Sequence, residues 1–414
     1  MSAARVPAGA FAVALAGLVS LAVAMGIGRF AFTPLLPMML ADGVVDLATA
    51  SWLATANYLG YWLGALACAL QPWAWRRLGR DRPLVHTQAV RAGLVATVLL
   101  TLAMATPWAP AWPVWRLLAG MASALVFVFV SGWCLARLTQ LGAPALAGVI
   151  YVGPGAGITV SGLAASAMVA GGWRAAAGWL VFGLLAVALT VLVWPRLQGT
   201  VSIAAQTAGP PAGAQRGAMA LFALAYGLAG FGYIITATFL PVIARQALPG
   251  SIWLDLFWPV FGLGVAAGAL LTTRLPVRWD RRWLLVASYA MQALGVLLTV
   301  WLPSRAGFAL GSLLLGLPFT AITLFAMQEA RRLRPQGASS YIALLTASYG
   351  LGQIAGPPLV AVLLSHSRTS AEGFALSLDI AAGALLLGVL MYAWLVRRHP
   401  VAGGAASPLR APAS

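Results

Sequence analysis

Lysine is absent from this 414-residue chain, and only eight carboxylates accompany its twenty-five arginines. A soluble domain spends about a quarter of its residues on charge to wet its surface; here the charged fraction is 8%. Histidine and cysteine are as scarce, at three and two. Cys68 and Cys134 both lie inside apolar runs, which excludes a disulfide framework, and without an HExxH or paired-cysteine spacing a metal centre has no ligand set. The arginines are neither gathered on one amphipathic helix nor interleaved with exposed aromatics, so the net charge of +17 does not indicate nucleic acid.

What the chain has in abundance is apolar surface, 61% of its residues, more than a soluble fold of this length buries. An apolar helix crosses the roughly 30 Å hydrocarbon layer in about 20 residues. Runs of that kind fall at about 8–38, 47–70, 84–105, 112–136, 145–170 and 175–194, and again at about 218–243, 251–272, 283–302, 306–328, 339–364 and 373–396. The expected fold is therefore an all-helical membrane bundle of twelve spans in two six-helix halves, 1–194 and 217–399. A Gly-, Ala- and Pro-rich linker over 195–216 joins the halves, and a Gly, Ala, Ser and Pro tail follows over 400–414, where disorder is expected.

Positively charged loops stay on the cytoplasmic side. With both termini inside, the outer loops hold only Arg174, Arg245, Arg305 and Arg368, while Arg29, Arg91 and Arg116 fall in or near the bilayer. The other arginines are then cytoplasmic, so the expected location is a bacterial inner membrane with both ends inside. Arg5 and Ala22-Val23-Ala24 superficially fit a cleaved leader, but the apolar run continues past them.

Certain motifs repeat between the halves. The fifth run contains Gly148, Gly153-Pro154 and Gly157, and the eleventh Gly350, Gly352 and Gly356-Pro357-Pro358. Small residues and proline at corresponding places permit close helix contact and bending, which rocking elements need. Gly153 to Gly157, preceded by Gly148, resembles the antiporter-associated motif C of the major facilitator superfamily, and Arg116-Leu-Leu-Ala-Gly120 is similar to its motif B. The segment Trp75 to Arg82, with Arg77, Gly79 and Arg80, is similar to motif A, although Pro72 and Arg76 stand where the family usually has Gly and Asp. The second copy, Arg274 to Arg282, keeps only the basic character. Gly26-Ile27-Gly28-Arg29-Phe30-Ala31-Phe32-Thr33-Pro34, continuing to Pro37, and Gly232 to Pro241 closely resemble the YbfB/YjiJ-like branch. The resemblance implies a secondary transporter working by alternating access, and motif C implies efflux by proton antiport.

Charge inside a membrane is costly, so each such residue is a candidate for function. Arg29 reads either as a cavity-facing or gating cation or as an interfacial or structural one. Arg116, with Gly120 one turn on, reads either as a substrate or coupling residue or as half of a structural ion pair. Asp255 and Asp379 are the only carboxylates within the spans, with Glu329 at the end of the tenth. Asp255 is the stronger candidate for proton coupling, against the plainer role of a wet interfacial carboxylate. Asn57 and Tyr61, Tyr226 and Tyr233, and Tyr349 and Gln353 sit at helical spacing and would line the cavity that the resemblance implies, or would bond between helices. Two cavity arginines beside few acids point to a small anionic or carboxylate-bearing organic substrate, with no cofactor and the proton as coupling ion, carried by a monomer in the lipid bilayer. The rival is a multidrug-type exporter of cationic or neutral compounds. An enzyme would need a nucleophile and base at common depth, and a sensor an output domain; neither is apparent.

Overall fold

The computed structural model describes residues 8–77, 85–199, 213–250, 253–276, 279–334 and 338–398, and helices dominate throughout. Gly79, Arg80, most of the expected linker and the expected tail lie outside the described residues.

The first span, α1, is built in pieces: an α-helix over Ala8–Leu21, a π-helical stretch over Ala22–Ile27 and, after a turn at 28–31, an α-helix over Phe32–Ala41. It is followed by α2 (Leu47–Arg77), α3 (His86–Ala103) and α4 (Trp112–Gln140). A 3₁₀ segment, Pro144–Tyr151, leads into α5 (Val152–Ala170), and α6 (Ala175–Val193) closes the first half. The second half holds α7 (Gly213–Ala247), α8 (Phe257–Thr272), α9 (Arg281–Trp301), α10 in two pieces (Arg305–Gly316 and Phe319–Leu333), α11 (Ala338–His366) and α12 (Ser370–Arg398). Eleven of these are long and apolar enough to cross a membrane. The twelfth, α3, is short and begins with His86, Gln88 and Arg91, yet it packs between α4 and α6 like its counterpart α9 between α10 and α12.

The contacts repeat from half to half. α2 packs on α4 as α8 on α10, α5 on α1 as α11 on α7, and the halves meet most extensively at α5 with α8 and at α11 with α2. Between helices in lipid the attraction comes from close packing and hydrogen bonds rather than from apolar burial. At the α5 seam this means glycine. A Cβ at Gly153 would strike the Leu18 carbonyl and one at Gly157 the backbone of Ala22 and Gly26, while one at Gly155 would strike the backbone of Gly262 and Ala266 on α8. In α11 only Gly352 meets backbone, the Gly227 carbonyl of α7, while Gly356 and Gly350 lie against side chains, Ile234 of α7 and the Trp62 ring of α2.

The α1 interruption has a local cause. Pro34 and Pro37 cannot donate to the ladder, and a proline ring collides with the carbonyl four residues back. The chain accommodates them by widening first: Gly28 and Phe30 donate to Val23 and Met25, five residues earlier, and Thr33 donates to Phe30 instead of Arg29. The Arg29 carbonyl is thereby released from the helix.

Between α1 and α7 the halves touch at one end only. The Phe32–Ala41 piece lies against α7, with Thr33 Oγ1 donating to the Ala237 carbonyl at 2.9 Å, whereas the Ala8–Leu21 piece makes no comparable contact with α7. At that same end Tyr58 and Thr238 share a hydroxyl bond of 2.7 Å and Ser166 Oγ donates to the Asp255 carbonyl at 2.9 Å, both across the halves. It is the end opposite the arginine-rich loops.

Candidate functional site

Arg29 and Arg116 are 3% and 2% exposed, the two most deeply placed charges of the first half among the described residues. They do different things. Arg116 turns its guanidinium onto the broken α1, donating to the Gly28 and Arg29 carbonyls at 3.4 and 3.3 Å, with its charge 4.8 Å from the Phe32 ring. Asn57 of α2 donates in turn to the Arg116 carbonyl at 2.9 Å. This settles neither alternative as stated: the partner of Arg116 is backbone freed by the π-helical break, not a carboxylate.

Arg29 leaves α1 and crosses to the other half. Its Nη2 donates to Gln353 Oε1 of α11 at 2.6 Å, and Gln353 Nε2 donates to the Tyr233 hydroxyl of α7 at 2.5 Å. The guanidinium carbon stands 4.0 Å from the Tyr61 ring centroid and 5.3 Å from those of Tyr58 and Phe30, a stacking environment for a planar cation. Around this pair the aromatics continue: Tyr349 lies 5.9 Å from Tyr233 and 4.9 Å from Tyr226, and Phe319 packs edge-on to Tyr233 and to Phe30. Tyr226 donates to Thr323 Oγ1 at 3.2 Å. Arg29, Tyr61, Tyr226, Tyr233, Tyr349 and Gln353 therefore form one cluster, near mid-length of α2, α7 and α11, and Asn57 joins it through Arg116.

No salt bridge among the described residues involves Arg29 or Arg116, and the Nε of each is buried without a partner, as is Asn57 Oδ1. An uncompensated guanidinium out of water is expensive, and its usual remedy is an anion.

Asp255 does not supply it. Its carboxylate takes Arg245 Nη2 of α7 in a close ion pair beside the start of α8. Asp379 lies exposed on α12. Glu329, 1% exposed, sits in a separate network at the arginine-rich end, accepting from Arg332 at 2.7 and 2.5 Å and standing 3.7 Å from Arg282, which also pairs with Asp280 at 2.8 Å. The second motif A copy thus contains an acid after all: Asp280 caps α9 through the Arg282 amide at 2.9 Å. Of the first copy, Arg77 lies 5.3 Å from the Trp73 ring at the exposed end of α2. Among the glycines of motif C, Gly148 faces Thr273, and Pro154 occupies the first turn of α5, where a missing N–H costs nothing. Pro357 and Pro358 are accommodated inside α11.

The sequence did not single out Tyr58, Trp62 or Phe319, and Thr33 and Thr238 entered only as members of the two runs that resemble the YbfB/YjiJ-like branch. Tyr58 was within reach, since it precedes Tyr61 by three residues on one helix face. Trp62, whose Nε1 donates to the Ala347 carbonyl of α11 at 3.0 Å, points across a contact that only the assembled halves create.

Comparison with known proteins agrees with this architecture. The chain is 27% identical over 371 residues to a chloramphenicol resistance protein of Streptomyces lividans, covering 83% of this chain and 87% of that one. Its fold matches two crystal structures of the nucleoside transporter NupG. One, of a point mutant, has a TM-score of 0.70 at 15% identity and covers 92% of this chain and 99% of NupG; the other has 0.66 at 13%, covering 94% and 100%. With the family profile described as "Uncharacterised MFS-type transporter YbfB" matching residues 21–393, the chain belongs to that family of major facilitator transporters and is a multi-pass membrane protein.

Proposed function

We propose that this transporter moves a small organic anion bearing a planar or aromatic group, with Arg29 as the cation that receives it. The observation that carries the reading is the placement of Arg29: buried, stacked on Tyr61, tied to Gln353 of the opposite half, and without a carboxylate of its own. A substrate carboxylate would supply the missing charge, and the Tyr233, Tyr349 and Phe319 rings would hold its apolar part. Because Arg29 belongs to one half and Gln353 and Tyr233 to the other, a ligand here alters the link between the halves, which is the differential contact that alternating access requires.

With both termini cytoplasmic in an inner membrane, the bonds of Thr33, Tyr58 and Ser166 would close the outer face and leave the inner face to open. The direction we infer is export by proton antiport, on the α5 glycine run and on the name of the Streptomyces lividans relative. In this reading Asp255 is a gate residue whose proton affinity is set by its exchange between Arg245 and water. Asp255→Asn should then abolish the proton dependence of transport in proteoliposomes, and undiminished proton dependence would remove Asp255 from the coupling scheme.

That relative also favours a second reading, export of uncharged drug-like compounds selected by the aromatic lining. A thermal-shift screen of organic anions, cations and neutral compounds separates the two, since a ligand of the folded state alone raises Tm. Anions should stabilise the wild type and lose about thirtyfold in affinity with Arg29→Ala, the equivalent of roughly 2 kcal/mol for a desolvated charge contact. Equal stabilisation of both proteins by neutral compounds would overturn the anion reading.

A further inference from the structure

Away from the bundle axis, α3 and α6 enclose a groove of about 460 Å³ on the outer surface of the first half. Val95 and Leu99 of α3 face Val187, Thr190 and Val191 of α6, with Trp194 at one end. Leu99 and Val191 are 60% and 65% exposed, so the groove opens outward, to lipid. Its Trp194 end lies at the arginine-rich side of the bundle, where α3 begins and α6 finishes.

That end is polar in a particular way. Arg91, one turn before Val95, donates from Nη2 to the Trp194 carbonyl at 3.1 Å and stands 4.9 Å from the Trp194 ring, yet its Nε is buried without a partner among the described residues. One turn deeper along α6, Thr190 lines the groove at 6% exposure, and its hydroxyl is buried without a hydrogen-bond partner among the described residues. Arg196 is exposed just beyond, and neither α3 nor α6 carries a carboxylate. The groove therefore offers a cation and an indole at the rim, a hydroxyl about one helical turn below, and aliphatic walls beneath.

A glycerophospholipid presents the complementary series at the same spacing: an anionic phosphate at the surface, an ester carbonyl a few ångströms deeper, then an acyl chain. We propose that this groove is a binding site for an anionic glycerophospholipid of the leaflet at the arginine-rich end. Arg91 receives the phosphate, the Thr190 hydroxyl donates to an ester carbonyl, and one acyl chain lies between Leu99 and Val191. The site is remote from Arg29 and independent of the transported solute.

The test uses the full chain, delipidated in detergent, with palmitoyl-oleoyl phosphatidylglycerol and the matching phosphatidylcholine compared by native mass spectrometry. The net charge of +17 attracts phosphatidylglycerol everywhere, so the measured quantity is the change in preference between proteins. Arg91→Gln should lose about fivefold of the preference for phosphatidylglycerol, the worth of one basic side chain at an anionic surface, and Arg91→Lys should keep most of it. Val187→Trp, which fills the groove, should lower binding of both lipids. On the wild type, a phosphatidylglycerol with a photoreactive acyl chain should label α3 and α6 peptides. Labelling confined to other helices, or an undiminished preference in Arg91→Gln, would overturn the proposal.

Discussion

The seam between α5 and α8 and the seam between α2 and α11 join the same two halves by different chemistry. At α5 and α8 backbone approaches backbone: Gly155 meets the backbone of Gly262 and Ala266, and Gly262 meets the Thr159 amide. At α2 and α11 the contact is made by large side chains, Trp62 bonding to Ala347 and lying on Gly350, with Tyr61, Arg29 and Gln353 one turn away. A glycine seam resists any added atom but is indifferent to sliding along smooth backbone, whereas an aromatic and polar seam holds a chosen register and can exchange its bonds for a ligand's. One pair of halves is thus joined by close backbone packing at one contact and by large side chains that hold a register at the other.

The sharpest way to break this contrast is Gly155→Leu. Its side chain has backbone on the far side and nowhere to move, so a loss of about 3 kcal/mol is expected, the upper range for overpacking, seen as a lower unfolding midpoint in detergent and a reduced monodisperse yield. A Leu tolerated there would mean that the seam is loose. Next comes Arg116→Ala, which strands the Gly28 and Arg29 carbonyls inside the break of α1 and should cost about 2 kcal/mol of stability. Arg29→Ala should leave the unfolding midpoint nearly unchanged and act on ligand binding, so equal thermal losses in the two variants would erase the distinction between the scaffold arginine and the site arginine.

On the aromatic seam, Trp62→Phe removes one hydrogen bond while keeping most of the ring contact. About 1 kcal/mol is expected, together with faster labelling of a cysteine introduced at the α2–α11 contact. The smallest effect belongs to Asp280, outside the spans. Burial pushes its carboxyl up, but the bonds from Arg282 and the charges of Arg282 and Arg332 outweigh this and hold it below its ordinary value. A depressed folded value contributes stability that is present above the unfolded value near pH 4 and lost as pH falls through the folded one. Asp280→Asn should therefore cost roughly 0.5 kcal/mol at neutral pH and flatten the stability profile below about pH 4, measured by detergent-phase thermal melts across that range.

The twelve helices were legible in the sequence because apolar runs of membrane length need no tertiary information to be recognised. The candidate residues at helical spacing, such as Tyr226 with Tyr233 and Tyr349 with Gln353, were legible for the same reason. Asp280 was passed over because a basic stretch hides a single acid until its N-cap is seen. The two cation roles were not separable in advance: Arg29 and Arg116 are alike as intramembrane arginines, and only the direction of each side chain tells them apart.

Sequence by itself determined the solvent of this protein, the number and order of its helices, the repetition between halves and the glycine runs that let them touch, since all of these follow from local composition and period. Tertiary structure alone decided that Arg116 closes over the carbonyl released by the break in α1, and that Arg29 is left facing Gln353 without a countercharge. These depend on which residues far apart in the chain, 87 positions for Arg116 with Arg29 and 324 for Arg29 with Gln353, the packing brings within hydrogen-bonding distance.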